Sequence, residues 1–152
     1  MFVGRERELK ALKDVYDKKD FGMTIIYGRR RVGKSTLIKE FIKGKNVIFY
    51  TATKVGAERN LELFSKQVLD VLDPAMSSAT FSSIESVFDI ITNKTPDDHK
   101  TILVIDELPY WAEKDESLLS VLQKYIDTQW THKNMMIIIA RSEERRVGKE
   151  CR

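Results

Sequence analysis

Apolar residues fall into two recurring patterns along this chain. Four short runs are apolar at nearly every position: 23–27 (MTIIY), 47–51 (VIFYT), 101–105 (TILVI) and 135–140 (MMIIIA). Short unbroken runs suit strands covered on both faces, as in a parallel sheet. Between them, apolar residues return every three or four positions. Leu9, Leu12 and Tyr16 predict a helix over 6–19, and Leu61, Phe64, Val68 and Leu72 one over 58–72, which Asp73-Pro74 stops. Further helices are expected over 36–43, 84–93 and 117–129. Ser82 and Glu85 stand at capping-box spacing ahead of the second of these. Pro109, Tyr110 and Trp111 read as a turn with aromatic packing, or alternatively as an interaction edge. Strand alternating with helix predicts an α/β fold, a parallel sheet with helices on both faces.

The loop between the first run and the second helix carries the chemistry. Residues 28–35 read GRRRVGKS and fit G-x-x-x-x-G-K-[ST] at every position. A strand delivers this loop and a helix leaves it, so backbone N–H groups and a helix N-terminus would face an anionic phosphate. Gly28 and Gly33 would take conformations that a side chain blocks. The loop and its helix supply the expected phosphate contacts: Gly28, Arg29, Arg30, Arg31, Val32, Gly33, Lys34, Ser35 and Thr36. Of the three arginines, one could touch phosphate while the others face solvent or a partner domain. Lys34 would reach the β- and γ-phosphates, and the Ser35 hydroxyl would ligate Mg²⁺. The third apolar run ends in Asp106 and Glu107. Asp106 would hold Mg²⁺, and Glu107 would orient and deprotonate an attacking water. The fold class is therefore a P-loop NTPase three-layer sandwich with a parallel sheet, expected to bind a nucleoside triphosphate and Mg²⁺. A guanine-reading motif is not supported: Asn93-Lys94-Thr95-Pro96 has proline at the acidic position and precedes the metal strand. No acceptor-site or lid signature points to a kinase.

The final twelve residues, RSEERRVGKECR (141–152), lack apolar periodicity and read like an in-frame translation of a short-read sequencing adapter. They are expected to be a non-native tail behind a domain over 1–140, the competing reading being a basic tail for an acidic partner. The whole chain is +3, with 26 Lys/Arg against 23 Asp/Glu. The tail holds five of the basic and three of the acidic residues, so the remainder is nearly neutral and argues little for nucleic acid. The single cysteine, Cys151, also lies in the tail, which leaves no disulfide framework and no thiolate metal site before it. His99 and His132 stand apart and are expected at the surface. No apolar stretch approaches the roughly 20 residues of a membrane span. No signal peptide is read ahead of Phe2, and a cytoplasmic location is expected.

Four blocks in order resemble one family. These are FVGRERELKAL (2–12), the GRRRVGKS loop, IDELPYW (105–111) and SLLSVLQKYID (117–127), and they are similar to archaeal-type ATPases, an AAA-like group among STAND relatives. The resemblance covers residues 1 to about 140. It implies that Phe2, Val3 and Gly4 line the adenine pocket, with Arg5 or Glu6 holding the loop. It implies a sensor at the end of the strand after the acidic pair. That strand is expected to stop at Ala140, and Ser142 is not assigned to the sensor. A second sensor, an arginine finger and C-terminal regions are not found. Such domains usually have at least five strands, so the sheet is expected to be truncated after its fourth, whose flank would be exposed and apolar. Thr51 and Thr53 stand where relatives restrain the catalytic glutamate, although ordinary strand-end threonines would look the same. The reading is an ATP-binding, Mg²⁺-dependent ATPase module of a larger regulatory protein. The alternative is a nucleotide-gated switch or scaffold with negligible hydrolysis. DNA or a protein partner would act through the C-terminal regions, and the oligomeric state is left open.

Overall fold

Strands and helices alternate in the expected order. The computed structural model describes residues 6–28 and 33–142. Helix α1 (Glu6–Tyr16) leads into β1 (Gly22–Gly28), then α2 (Lys34–Ile42), β2 (Asn46–Thr51) and α3 (Ala57–Leu72). A 3₁₀ turn (Pro74–Met76) precedes α4 (Ile84–Lys94), β3 (Thr101–Asp106) and a short α5 (Leu108–Ala112). Helix α6 (Leu118–Tyr125) runs into a π turn (Ile126–Trp130) before β4 (Met135–Ser142).

All strand pairings are parallel, in the order β1-β4-β3-β2. Alternate residues of the central strands face opposite layers. Ile102, Val104, Met136 and Ile138 pack with Leu12, Leu37, Ile38 and Phe41 of α1 and α2. Leu103, Ile105, Ile137 and Ile139 pack with Phe64, Phe88, Trp111 and Trp130 on the other side. The result is the expected three-layer sandwich. An aromatic chain stiffens the second layer: Trp111 lies edge-on to Tyr50 and Phe64 at 5.7 and 5.4 Å, and Phe88 to Trp130 at 5.1 Å. At the far end of the sheet, buried Lys100 donates to the carbonyls of Lys18 and Asp20, at 2.9 and 2.6 Å, and ties the α1–β1 turn to β3.

Several expectations need correction. The last strand is not at the flank, because β4 inserts between β1 and β3 and is buried from Met135 to Ala140. The exposed apolar flank belongs to β1, where Met23, Ile25 and Tyr27 are exposed. Strand β2 is the other edge, so Val47 and Phe49 are only half-buried rather than covered on both faces. The cap of α4 is Ser83, whose hydroxyl accepts from Ser86 N–H, instead of a Ser82–Glu85 box. Residues 109–111 lie within a helix, since proline is well tolerated in a first turn where its missing N–H has no helical partner. Strand β4 continues two residues past Ala140, pairing Arg141 with Tyr27 and Ser142 with Gly28.

Candidate active site

Every strand reaches the same edge of the sheet with its carboxyl end, where open α/β sheets bind ligands. Gly28 ends β1, Thr51 ends β2, Asp106 ends β3 and Ser142 ends β4. Helix α2 begins beside them. Its N-cap, Gly33, has φ 97°, a left-handed conformation that suits glycine and no β-carbon. Gly28 is different. It is absent from the left-handed region, and a β-carbon there would sit 3.4 Å from that of Lys34, a tight contact but not a blocked one. Arg29, Arg30, Arg31 and Val32 lie outside the described residues, as do Phe2, Val3 and Gly4 of the expected adenine pocket.

Lys34 is 3% exposed. Its ammonium meets Asp106 Oδ1 at 2.5 Å and Glu107 Oε2 at 3.4 Å. The two carboxylates are themselves buried, so each relies on this partner in place of water. Ser35, exposed at the next position, borders a cleft with Asp106, Glu107, Thr51, Thr53, Lys54 and Tyr110. Thr36 is exposed one residue on. A serine hydroxyl and a carboxylate on one cleft are the hard oxygen donors that Mg²⁺ takes together with phosphate oxygens, so these residues fit that ion.

Glu107 carries backbone strain. Its φ of 58° and ψ of 38° are left-handed, which is uncommon for a residue with a side chain. The chain turns there from β3 into α5, and the Glu107 N–H donating to Ala140 O at 2.8 Å fixes the turn. The side chain is then gripped by Ser142, whose N–H donates to Oε1 at 3.2 Å and whose hydroxyl donates to Oε2 at 2.5 Å. Burial pushes the Glu107 pKa up. The two Ser142 hydrogen bonds and the Lys34 charge outweigh it, and the carboxyl ends below its ordinary value. The ionised carboxylate is the favoured form.

Ser142 thus stands at the end of the strand that follows the acidic pair, within the twelve residues expected to be a non-native tail. The N–H contact needs no particular side chain, whereas the hydroxyl contact needs serine or threonine. Thr51 and Thr53 border the same cleft, but among the described residues the side chains that bond Glu107 are Lys34 and Ser142. His99 and His132 are exposed, as expected.

One positioning residue was missed. Asn60 is fully buried on α3 and staples the loop that follows β2. Its Oδ1 accepts from the Tyr50 hydroxyl at 2.5 Å and from Thr53 N–H at 3.1 Å. Its Nδ2 donates to Thr53 O at 3.0 Å and Gly56 O at 2.8 Å. This loop carries Lys54, whose ammonium lies 4.9 Å above the Tyr110 ring. A signal was available: Asn60, Phe64 and Val68 share one helical face, so a polar residue sat on an apolar stripe.

Known proteins resemble this chain to different extents. An uncharacterised protein of Methanocaldococcus jannaschii is 28% identical over 150 residues, covering 99% of this chain and 31% of its own length. An uncharacterised ATP-binding protein of the same organism is 45% identical over 47 residues, which are 31% of this chain and 80% of that one. The solved Walker-type ATPase of Pyrococcus abyssi aligns with a TM-score of 0.69 at 21% identity, over 93% of this chain and 45% of that chain. Drosophila ORC, solved bound to DNA, aligns with a TM-score of 0.71 at 16% identity, over 94% of this chain and 38% of that chain. At such identities the two structures share the fold. The chain spans less than half the length of the three longer proteins. Residues 2–150 match the family described as an ATPase domain predominantly from Archaea, and the chain belongs to that family of P-loop ATPase domains.

Proposed function

We propose that the domain binds ATP with Mg²⁺ and hydrolyses it as a module of a larger regulatory ATPase. The observation that carries this reading is the meeting of Lys34, Ser35, Asp106 and Glu107 at the carboxyl edge of the sheet. The Lys34 ammonium would move onto the β- and γ-phosphates. Ser35 and Asp106 would hold Mg²⁺, which when bound neutralises phosphate charge. Glu107 would align a water for in-line attack on the γ-phosphorus and accept its proton, the ADP oxygen leaving as the new bond forms. Glu107→Gln tests this. ATP turnover should fall roughly 10²–10⁴-fold while ATP affinity holds within about threefold. Unchanged turnover would remove Glu107 from the role of base.

A second reading has its own support. Glu107 is engaged by Ser142 and Lys34, an arrangement suited to a switch that binds ATP and scarcely hydrolyses it. Wild-type turnover no higher than that of Glu107→Gln would favour the switch. The partner would be DNA or a protein, reached through regions of the longer protein; the DNA-bound Drosophila structure supports the former by fold alone. A cytoplasmic location accords with ATP chemistry, and among the described residues no helix is long and apolar enough to cross a membrane. We keep residues 1–140 as the ATPase unit and 141–152 as a non-native tail. Resequencing the source locus across these codons tests that division: a genomic RSEERRVGKECR followed by a stop codon would contradict it.

A further inference from the structure

We propose that Lys54 reads the third phosphate of the nucleotide and so separates a nucleoside triphosphate from a diphosphate. The inference rests on the ATP reading above and adds to it a specificity residue on the loop after β2. The sheet order sets this up. Strand β1, which leads into the phosphate loop, lies at one edge, β2 forms the other edge, and β3 with its acidic pair stands next to β2. Neighbouring strands are about 4.8 Å apart, so a lysine stem leaving the end of β2 spans to the end of β3. The terminal phosphate is the one that must lie beside Glu107 there, because the attacking water sits between them.

Backbone bonds fix Lys54 and its neighbour Tyr110 relative to the acidic pair. Ala52 N–H donates to Asp106 O at 2.8 Å, which carries the β2–β3 ladder one residue past Thr51. The next residue, Thr53, is pinned by Asn60 at both its N–H and its carbonyl, so Lys54 leaves from a fixed point. Tyr110 N–H donates to Glu107 O at 3.0 Å, and its ring meets the Lys54 ammonium at 4.9 Å. Lys54, Tyr110, Ser35, Asp106 and Glu107 border one cleft of about 500 Å³. The ring matters for the charge. A carboxylate would neutralise the ammonium, whereas an aromatic face orients it and leaves it fully positive. Among the described residues Lys54 makes no ion pair, while the Lys34 charge is shared between Asp106 and Glu107. A compact charge with three donors on a flexible stem suits phosphate oxygens. Lys39 borders the same cleft from α2, but among the described residues its ammonium makes neither an ion pair nor a ring contact that would aim it.

The test measures the affinity of the full chain for ADP and for a non-hydrolysable β,γ-imido analogue of ATP, each with Mg²⁺, by isothermal titration calorimetry. Lys54→Met, which removes the charge and keeps an apolar stem, should weaken the triphosphate at least about fivefold and leave ADP within about twofold. Lys54→Arg keeps the charge and the ring contact, and should hold both affinities within about threefold of wild type. Lys54 is exposed, and an unchanged ADP affinity in Lys54→Met itself reports a folded site. Loss of the two nucleotides in equal measure, or of neither, would overturn the proposal, because a residue with a merely structural role does not move the ratio between them. Lys54→Arg behaving like Lys54→Met would overturn it too, since the charge would then not be what reads the phosphate. No binding of either nucleotide by wild type would defeat the ATP reading and the proposal together. Binding of both, with an unmoved ratio in Lys54→Met, would defeat the proposal alone.

Discussion

Replacing Asn60 by alanine should destabilise the domain far more than a single polar substitution usually does. The carboxamide makes four hydrogen bonds, to the Tyr50 hydroxyl, to Thr53 N–H and to the carbonyls of Thr53 and Gly56. Each is worth about 1 kcal/mol net, and a buried partner left unpaired costs roughly 1–3 kcal/mol. Thr53 is exposed and its backbone can turn to water, and Gly56 O still accepts from Asn60 N–H at 3.2 Å. The buried Tyr50 hydroxyl has no such recourse. The sum is about 3–4 kcal/mol, which in a chain of this size lowers Tm by roughly 10 °C. Urea unfolding followed by far-UV circular dichroism measures it directly. Tyr50→Phe removes only one of the bonds and should cost about 1 kcal/mol. A loss below about 1 kcal/mol for Asn60→Ala would mean that the loop after β2 is not held by this side chain, and the staple would have to be abandoned.

Two further outcomes follow from local geometry. Gly33→Ala forces a β-carbon onto a residue at φ 97°, so it should cost about 1–2 kcal/mol of stability and weaken ATP binding at least roughly tenfold, read by thermal unfolding and a nucleotide titration. Alkaline pH should unfold the domain through its buried phenols. Burial pushes Tyr50 up to about 12, against a small opposing pull from Arg59, and burial with its bond to Asp89 pushes Tyr125 up to about 12. Both favour the neutral form when folded, so their contribution is complete below pH 10 and is lost as pH rises from about 10 to 12. Tyr50→Phe should flatten part of that slope, and an unchanged slope in a Tyr50→Phe, Tyr125→Phe double variant would refute the assignment.

How much could be read in advance depends on the range of the interaction. Strand and helix alternation was legible because apolar runs at 101–105 and 135–140 obey rules that span a few residues. The phosphate-loop motif was legible for the same reason: glycine, lysine and serine stand at fixed spacing in one short stretch. Strand order was not, because nothing local in MMIIIA says that it inserts between β1 and β3. The meeting of Lys34 with Asp106 joins residues 72 positions apart and was expected only through the shared ligand, not as a direct ion pair. Ser142 was set aside because it opens the adapter-like stretch, and its contact with Glu107 depends on a strand pairing with Gly28 that no local pattern announces. The left-handed backbone of Glu107 has no signature in IDELP, since it arises from the bond to Ala140 on another strand.

The central claim is that residues 28–36 form a working nucleotide site. Titrating the chain with a fluorescent ATP analogue in the presence of Mg²⁺, beside Lys34→Ala, tests it most directly. Saturable binding that unlabelled ATP competes away, weakened at least roughly tenfold by Lys34→Ala, is the predicted result. No saturable binding to a folded chain, or equal binding by the variant, would contradict the account.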